Sequence, residues 1–215
     1  MARRHATHVH DDRQFGFDAL LLDADRANHA QRTEKESGHL PATMQEALPL
    51  FRELLEEHDA AMRRGNPEEV TFCREEACRL ARRLNGDVPG YLAGPDAPGS
   101  VLTRETEAAE DTVPLWGQAG SFVVTVAGAR VRVAFAGMFG IGMTTGFWPG
   151  FDAHAVDRDR PFISETGYRS FLGIHAPPVP DMTPERFATE VIAAYVRGER
   201  KGRLIAIEER YRKAG

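Results

Sequence analysis

Apolar residues recur at three- and four-residue steps through the first part of the chain, then at every second position from Phe122 onward. The helical period first predicts a segment from about Asp18 to Gln31, with Phe17, Leu20, Leu21, Ala24 and Asn28 on one stripe and Ser37-Gly38 closing it. A second helix carries Met44, Ala47, Leu48, Phe51, Leu54, Leu55, His58 and Met62. Thr43 and Glu46 have capping-box spacing, which starts this helix at Met44. Pro49 complicates that start, because an interior proline loses a hydrogen bond. Either the first turn is bent or the regular helix begins near Pro49. Arg63-Arg64-Gly65 ends it. In the third helix Asn66 caps, Pro67 fits the first position and Glu69 lies beside the unsatisfied amides. Val70, Cys73, Ala77, Leu80, Ala81 and Leu84 form its buried stripe, and Asn85-Gly86 stops it. The short turn between these two helices makes them an antiparallel hairpin.

Residues 87–113 change character: Pro89, Gly90, Gly94, Pro95, Pro98 and Gly99 mark a loop, followed by a stretch rich in carboxylates. Next, Phe122, Val124 and Val126 alternate, as do Val131, Val133 and Phe135, predicting an antiparallel pair turning at Ala127-Gly128. Arg130 and Arg132 fall on the other side. Further extended stretches are expected over 153–156 and 162–172. Thr183-Pro184-Glu185 opens a last helix with Phe187, Val191, Ala194 and Tyr195 inward, and Gly198 and Gly202 break it. Residues 204–207 lean toward a strand by composition. The expected fold class is α+β: an N-terminal helical hairpin with an extra helix, and a C-terminal antiparallel sheet covered by one helix. The corresponding division is 1–86 helical, 87–113 loop or linker, and 114–215 antiparallel α+β.

Charge sharpens that division. The whole chain of 215 residues carries −5. Residues 1–110 hold 14 basic and 21 acidic side chains, whereas 111–215 hold 13 and 11. A net acidic chain argues against a dedicated nucleic-acid coat. It leaves room for a local contact through Arg200, Lys201, Arg203, Arg210, Arg212 and Lys213. The basic start at Arg3-Arg4 is followed by His5, His8, His10, Asp11 and Asp12 rather than an apolar core, so no secretory signal is expected. No run approaches the ~20 apolar residues that span a bilayer. The expected compartment is the cytoplasm, with no membrane contact. Cys73 and Cys78 lie on different sides of one helix and are not expected to bridge.

Motif matches are scarce. There is no Walker-type loop, no H-E-x-x-H, no G-x-S-x-G and no C-x-x-C pair. Gly140-Ile-Gly142-Met-Thr-Thr-Gly146 falls short of a dinucleotide fingerprint by spacing and follows a hairpin, so its glycines read as packing or bends. No cofactor and no metal is implied, and residues 1–14 with their three histidines read as a short mobile terminus. His58 reads as a boundary residue of its helix. The polar density between Pro161 and Gly173 stands out: Ser164, Glu165, Thr166, Tyr168, Arg169 and Ser170 lie between apolar ends. Glu165 can serve as a base, Tyr168 as a donor and Arg169 as a fork for an anion, with His154 and His175 flanking. The structural alternative is a turn whose Glu165 and Arg169 pair with each other or with neighbours. Trp116 and Trp148 are candidate partner anchors if exposed, and core residues if not.

The passages Val113-Pro-Leu-Trp-Gly117, Phe147-Trp-Pro-Gly150 and Pro161-Phe-Ile-Ser-Glu-Thr-Gly-Tyr-Arg-Ser-Phe-Leu-Gly173 resemble uncharacterised conserved proteins of proteobacterial plasmids and integrated elements. The resemblance covers mainly residues 113–175. It implies a bacterial accessory protein and carries over no catalytic residue. The function expected is therefore a non-enzymatic accessory or regulatory protein that binds another macromolecule, most simply a protein, for a mobile element. The alternative is an enzyme of unknown reaction centred on Glu165, Tyr168 and Arg169.

Overall fold

The computed structural model describes residues 21, 23–24, 27–28, 31, 35–140, 146–174 and 176–212. The chain divides into two compact units, Met1–His39 and Leu40–Gly215. In the first, the described residues from Leu21 to Ser37 are helical. Leu21, Ala24 and Asn28, expected on a buried stripe, are exposed, Leu21 by 49%. Phe17 and Leu20 of that stripe, and His5, His8 and His10, lie outside the described residues.

The second unit opens with α1 (Met44–Arg64) and α2 (Pro67–Leu84). Thr43 is the N-cap of α1: its Oγ1 accepts from the Glu46 N–H at 3.4 Å and donates to Glu46 Oε2 at 2.7 Å. The helix thus starts ahead of Pro49 and carries the proline inside, at the cost of one backbone bond. Gly65 ends it in the left-handed region, φ 67°, donating to the carbonyls of Ala61 and Met62. Asn66 Oδ1 then caps α2 through the Glu69 N–H. Val70, Cys73, Ala77, Leu80 and Ala81 are buried as their spacing predicts.

A short helix, α3 (Pro98–Glu105), stands where the sequence reads as loop. Pro98 starts it, but its N-cap Ala97 offers no side-chain bond and the preceding glycines and prolines hide it. Leu102 anchors it, fully buried against the α1–α2 pair.

Four antiparallel strands follow in the order β1-β2-β3-β4. They are β1 (Ala119–Val126), β2 (Ala129–Ala136), β3 (Phe151–Ala155) and β4 (Tyr168–Phe171). Ala127 (φ 51°) and Gly128 (φ 85°) make the two-residue turn of the first pair, both left-handed as a type I′ turn requires. The stretch 162–172 is only partly a strand, because a turn at 164–167 interrupts it. Phe162 instead bridges Ile205, which is also all the strand that 204–207 forms.

One sheet face is covered by α4 (Pro184–Gly198), capped by Thr183. Its buried residues are Pro184, Phe187, Ala188, Ile192 and Val196. Val191 and Tyr195 sit at the flank and Ala194 is exposed, so the inward stripe is rotated from the expected one. A four-residue helix, α5 (Glu209–Arg212), follows. The sheet and α4 share their core with Ala61, Met62 and Val70 from the α1–α2 hairpin. In this α+β arrangement a second apolar cluster, with Phe51, Leu54, Leu80 and Leu102 in it, holds α1, α2 and α3 together. No described helix is long and apolar enough to cross a membrane.

Candidate functional site

The 164–170 segment is a hydroxyl-tied turn feeding the edge strand β4. Ser164 is buried, and its Oγ accepts from the Tyr168 N–H at 3.0 Å and bonds the Tyr168 carbonyl at 2.7 Å. Thr166 Oγ1 repeats both bonds at 3.2 and 3.0 Å. Gly167 takes φ 72°, and a Cβ there would lie 3.2 Å from Ile207 Cδ1. Its carbonyl accepts from the Ala155 N–H at 2.8 Å, joining β3. By ladder alternation, the backbone groups of Tyr168 then point away from β3. Ser164 and Thr166 satisfy them as a neighbouring strand would.

Beyond that turn the candidates part. Tyr168 projects to the face opposite α4, 43% exposed, and its hydroxyl donates to Asp152 Oδ1 at 2.8 Å. That bond to a carboxylate raises the Tyr168 pKa above its ordinary value. The ring of His154 lies 5.0 Å from the Tyr168 ring. Arg132 is the cross-strand neighbour of His154, and its guanidinium bonds Asp111 at 2.8 Å. Arg132, His154 and Tyr168 thus form one row across β2, β3 and β4, beside the pair Asp152 and Ser170.

Arg169 lies on the other face, 4.6 Å over the ring of Tyr195. Glu165 is exposed in the turn, and its carbonyl accepts from the Glu208 N–H at 2.8 Å. The structure therefore brings Tyr168 and His154 together and separates both from Arg169. His175 lies outside the described residues.

Trp116 and Trp148 are both buried, their rings 5.3 Å apart and each packed on Phe187. Burial removes them as surface anchors. Trp116 is instead a hub: its N–H donates to Asp59 Oδ1 at 3.0 Å and its indole Nε1 to the Met182 carbonyl at 2.8 Å. Its own carbonyl lies 2.9 Å from His58 Nδ1, so that nitrogen carries the proton and Nε2 is bare. His58 is fully buried rather than at a boundary, and among the described residues Nε2 has no hydrogen-bond partner. Burial pulls its pKa from 6.5 down to about 4. No short-range pattern identifies this contact, because its partner is 58 positions away.

The other reactive candidates are quiet. Both cysteines are free, and burial pushes Cys73 up to about 11. Among the described residues no three His, Cys, Asp or Glu side chains gather to hold a metal. A cleft of about 350 Å³ runs between α1 and the end of α3, with Leu55 and Leu115 in its walls and Arg52, Glu56, Glu105 and Glu107 at its rim. None of the 164–170 residues lines it. At the C-terminal end, Arg200 donates to the Ile163 carbonyl at 3.1 Å and Arg212 to that of Ile207 at 2.7 Å. Arg210 pairs with Glu208 at 2.7 Å. Lys213 lies outside the described residues.

Residues 119–206 match the family model of the KlcB third domain. Two curated relatives from Escherichia coli, each named Protein KlcB, are similar over longer stretches. One is 33% identical over 174 residues, 80% of this chain and 41% of its own length. The other is 37% identical over 144 residues, 67% of this chain and 30% of its own. The chain thus spans about two fifths or less of these relatives. No solved structure matches. The sheet and α4 are accordingly similar to the third domain of KlcB, and most of the chain, helical hairpin included, is KlcB-like.

Proposed function

We propose that this protein is a non-enzymatic accessory or regulatory protein that serves a bacterial mobile element in the cytoplasm by binding another protein. The observation that carries this reading is the row Arg132, His154 and Tyr168 on the sheet face opposite α4. Tyrosine and arginine are the side chains that dominate protein interfaces when such a face is covered. The separation of Tyr168 from Arg169 weighs against the enzymatic alternative, since a base, a donor and an anion fork must converge on one substrate. The test is cross-linked co-purification from the native host, comparing the full chain with a Tyr168→Ala, Arg132→Ala double variant. A protein retained by the parent and lost by the variant supports the reading. A partner held equally by both, or turnover of a small molecule with no partner, overturns it. Nucleic acid bound with a steep salt dependence would redirect it to the C-terminal basic residues.

A further inference from the structure

Four arginines around the sheet and α4 are each closed by a carboxylate: Arg130 by Asp157, Arg132 by Asp111, Arg186 by Glu190 and Arg210 by Glu208. Arg169 and Arg200 are not. Their guanidinium carbons stand 4.6 and 5.7 Å from the centroid of one ring, that of Tyr195. Among the described residues neither pairs with a carboxylate. Glu165, four positions before Arg169, forms no ion pair with it, nor does Glu199 with Arg200. Arg200 is half-buried and its Nε is fixed on the Ile163 carbonyl at 3.1 Å, so its two terminal nitrogens remain to bond something else. Arg169 is exposed, its head resting on Tyr195 and 6.0 Å over Phe171. Two like charges on one ring repel each other, and the π-face offsets only part of that. An anion between them removes it. Exposed Lys201 and Arg203 follow in the chain and add to the positive field.

We propose that Arg169 and Arg200 hold a phosphate monoester group. The separation of their guanidinium carbons cannot exceed the two ring distances together, about 10 Å. A phosphate gripped by both forks needs them roughly 8 Å apart by ordinary hydrogen-bond lengths. The exposed Arg169 head, tied by no hydrogen bond among the described residues, supplies the difference. A carboxylate is satisfied by one fork, and a nucleic-acid phosphodiester offers two free oxygens and one charge. A monoester offers three oxygens and close to two charges, the ligand that two forks match. The site lies on the α4 side of the sheet, away from Arg132, His154 and Tyr168, and is independent of the protein-binding reading.

The test records the arginine Nε–H signals of the full, isotope-labelled chain by NMR during titration with phenyl phosphate at constant ionic strength. Saturable shifts of Arg169 and Arg200 are expected, with Arg186 unmoved. Arg169→Gln is expected to weaken the binding about tenfold or more. It keeps the fold, checked by thermal unfolding, because the side chain is exposed. Arg186→Gln is expected to leave the binding unchanged. Absence of a saturable shift in the parent overturns the proposal whatever the variants do. Undiminished binding by Arg169→Gln overturns it, as do equal shifts with benzoate. Tighter binding of a single-stranded oligonucleotide than of the monoester, at equal phosphate, also overturns it.

Discussion

Ser164 holds Tyr168 by both ends of its backbone unit, at 3.0 Å to the N–H and 2.7 Å to the carbonyl. A side chain here stands in for a missing strand. Deleting the buried hydroxyl leaves polar backbone groups partly unsatisfied, so Ser164→Ala is expected to cost about 1–2 kcal/mol. Thr166→Val costs less, because Thr166 is exposed and water replaces it. Urea unfolding midpoints check both, and an unchanged midpoint for Ser164→Ala rejects the edge-closing role.

His58 makes stability depend on pH in one direction. Its folded pKa of about 4 lies below the unfolded value of 6.5, so below 6.5 the unfolded chain binds more protons. The neutral ring contributes fully above pH 6.5, and its contribution is lost as pH falls toward 4. The loss amounts to about 3 kcal/mol at most. His58→Asn, which keeps a donor near the Nδ1 position, is expected to flatten that slope. Unfolding free energies measured across this window test it, and an unaltered slope assigns the dependence elsewhere.

Gly117 sits at φ 87°, and a Cβ there would lie 3.0 Å from His58 Nδ1 and 3.1 Å from Met138 Cε. Gly117→Ala therefore combines backbone strain with a crowded histidine. A loss of about 1–3 kcal/mol is expected, read as a fall in melting temperature. Gly86→Ala is the useful contrast: it shares the positive φ but meets nothing within 4 Å, so its cost is the smaller.

The family boundary at residue 119 is not a folding boundary. Ala61, Met62, Val70 and Trp116 lie in the same apolar cluster as the sheet and α4. Residues 119–206 alone are expected to lack cooperative unfolding, whereas 40–215 retain it. Calorimetry of the two fragments distinguishes these outcomes, and a cooperative transition in the shorter one refutes the shared core.

Local signals placed α1 and α2, because Thr43, Gly65 and Asn66 cap within their own helices. The β1–β2 pair was equally legible, since alternation and a turn of Ala127-Gly128 suffice. Capping and period locate α4 but leave its rotation open: Val191 and Ala194 fit an apolar stripe from Phe187 as well as Ala188 and Ile192 do. Packing under the sheet alone decides between them. Helix α3 escaped because its cap offers no side-chain bond. In the polar segment, the period of two already separates Tyr168 from Arg169. Which face each takes depends on Asp152 and Tyr195, which only the assembled sheet supplies. The burial of His58 is hidden from local pattern for the same reason, its partner Trp116 being remote.

Arg200 and Arg212 spend donors on main-chain carbonyls rather than on carboxylates, as does Arg158 on Tyr211. A carbonyl orients a guanidinium without cancelling its charge. The C-terminal end therefore keeps cations whose positions are set by the chain's own skeleton, and the ordering entropy of those long side chains is already spent in folding. Among the described residues no carboxylate pairs with these three, and the positive field they contribute is weakened by added salt.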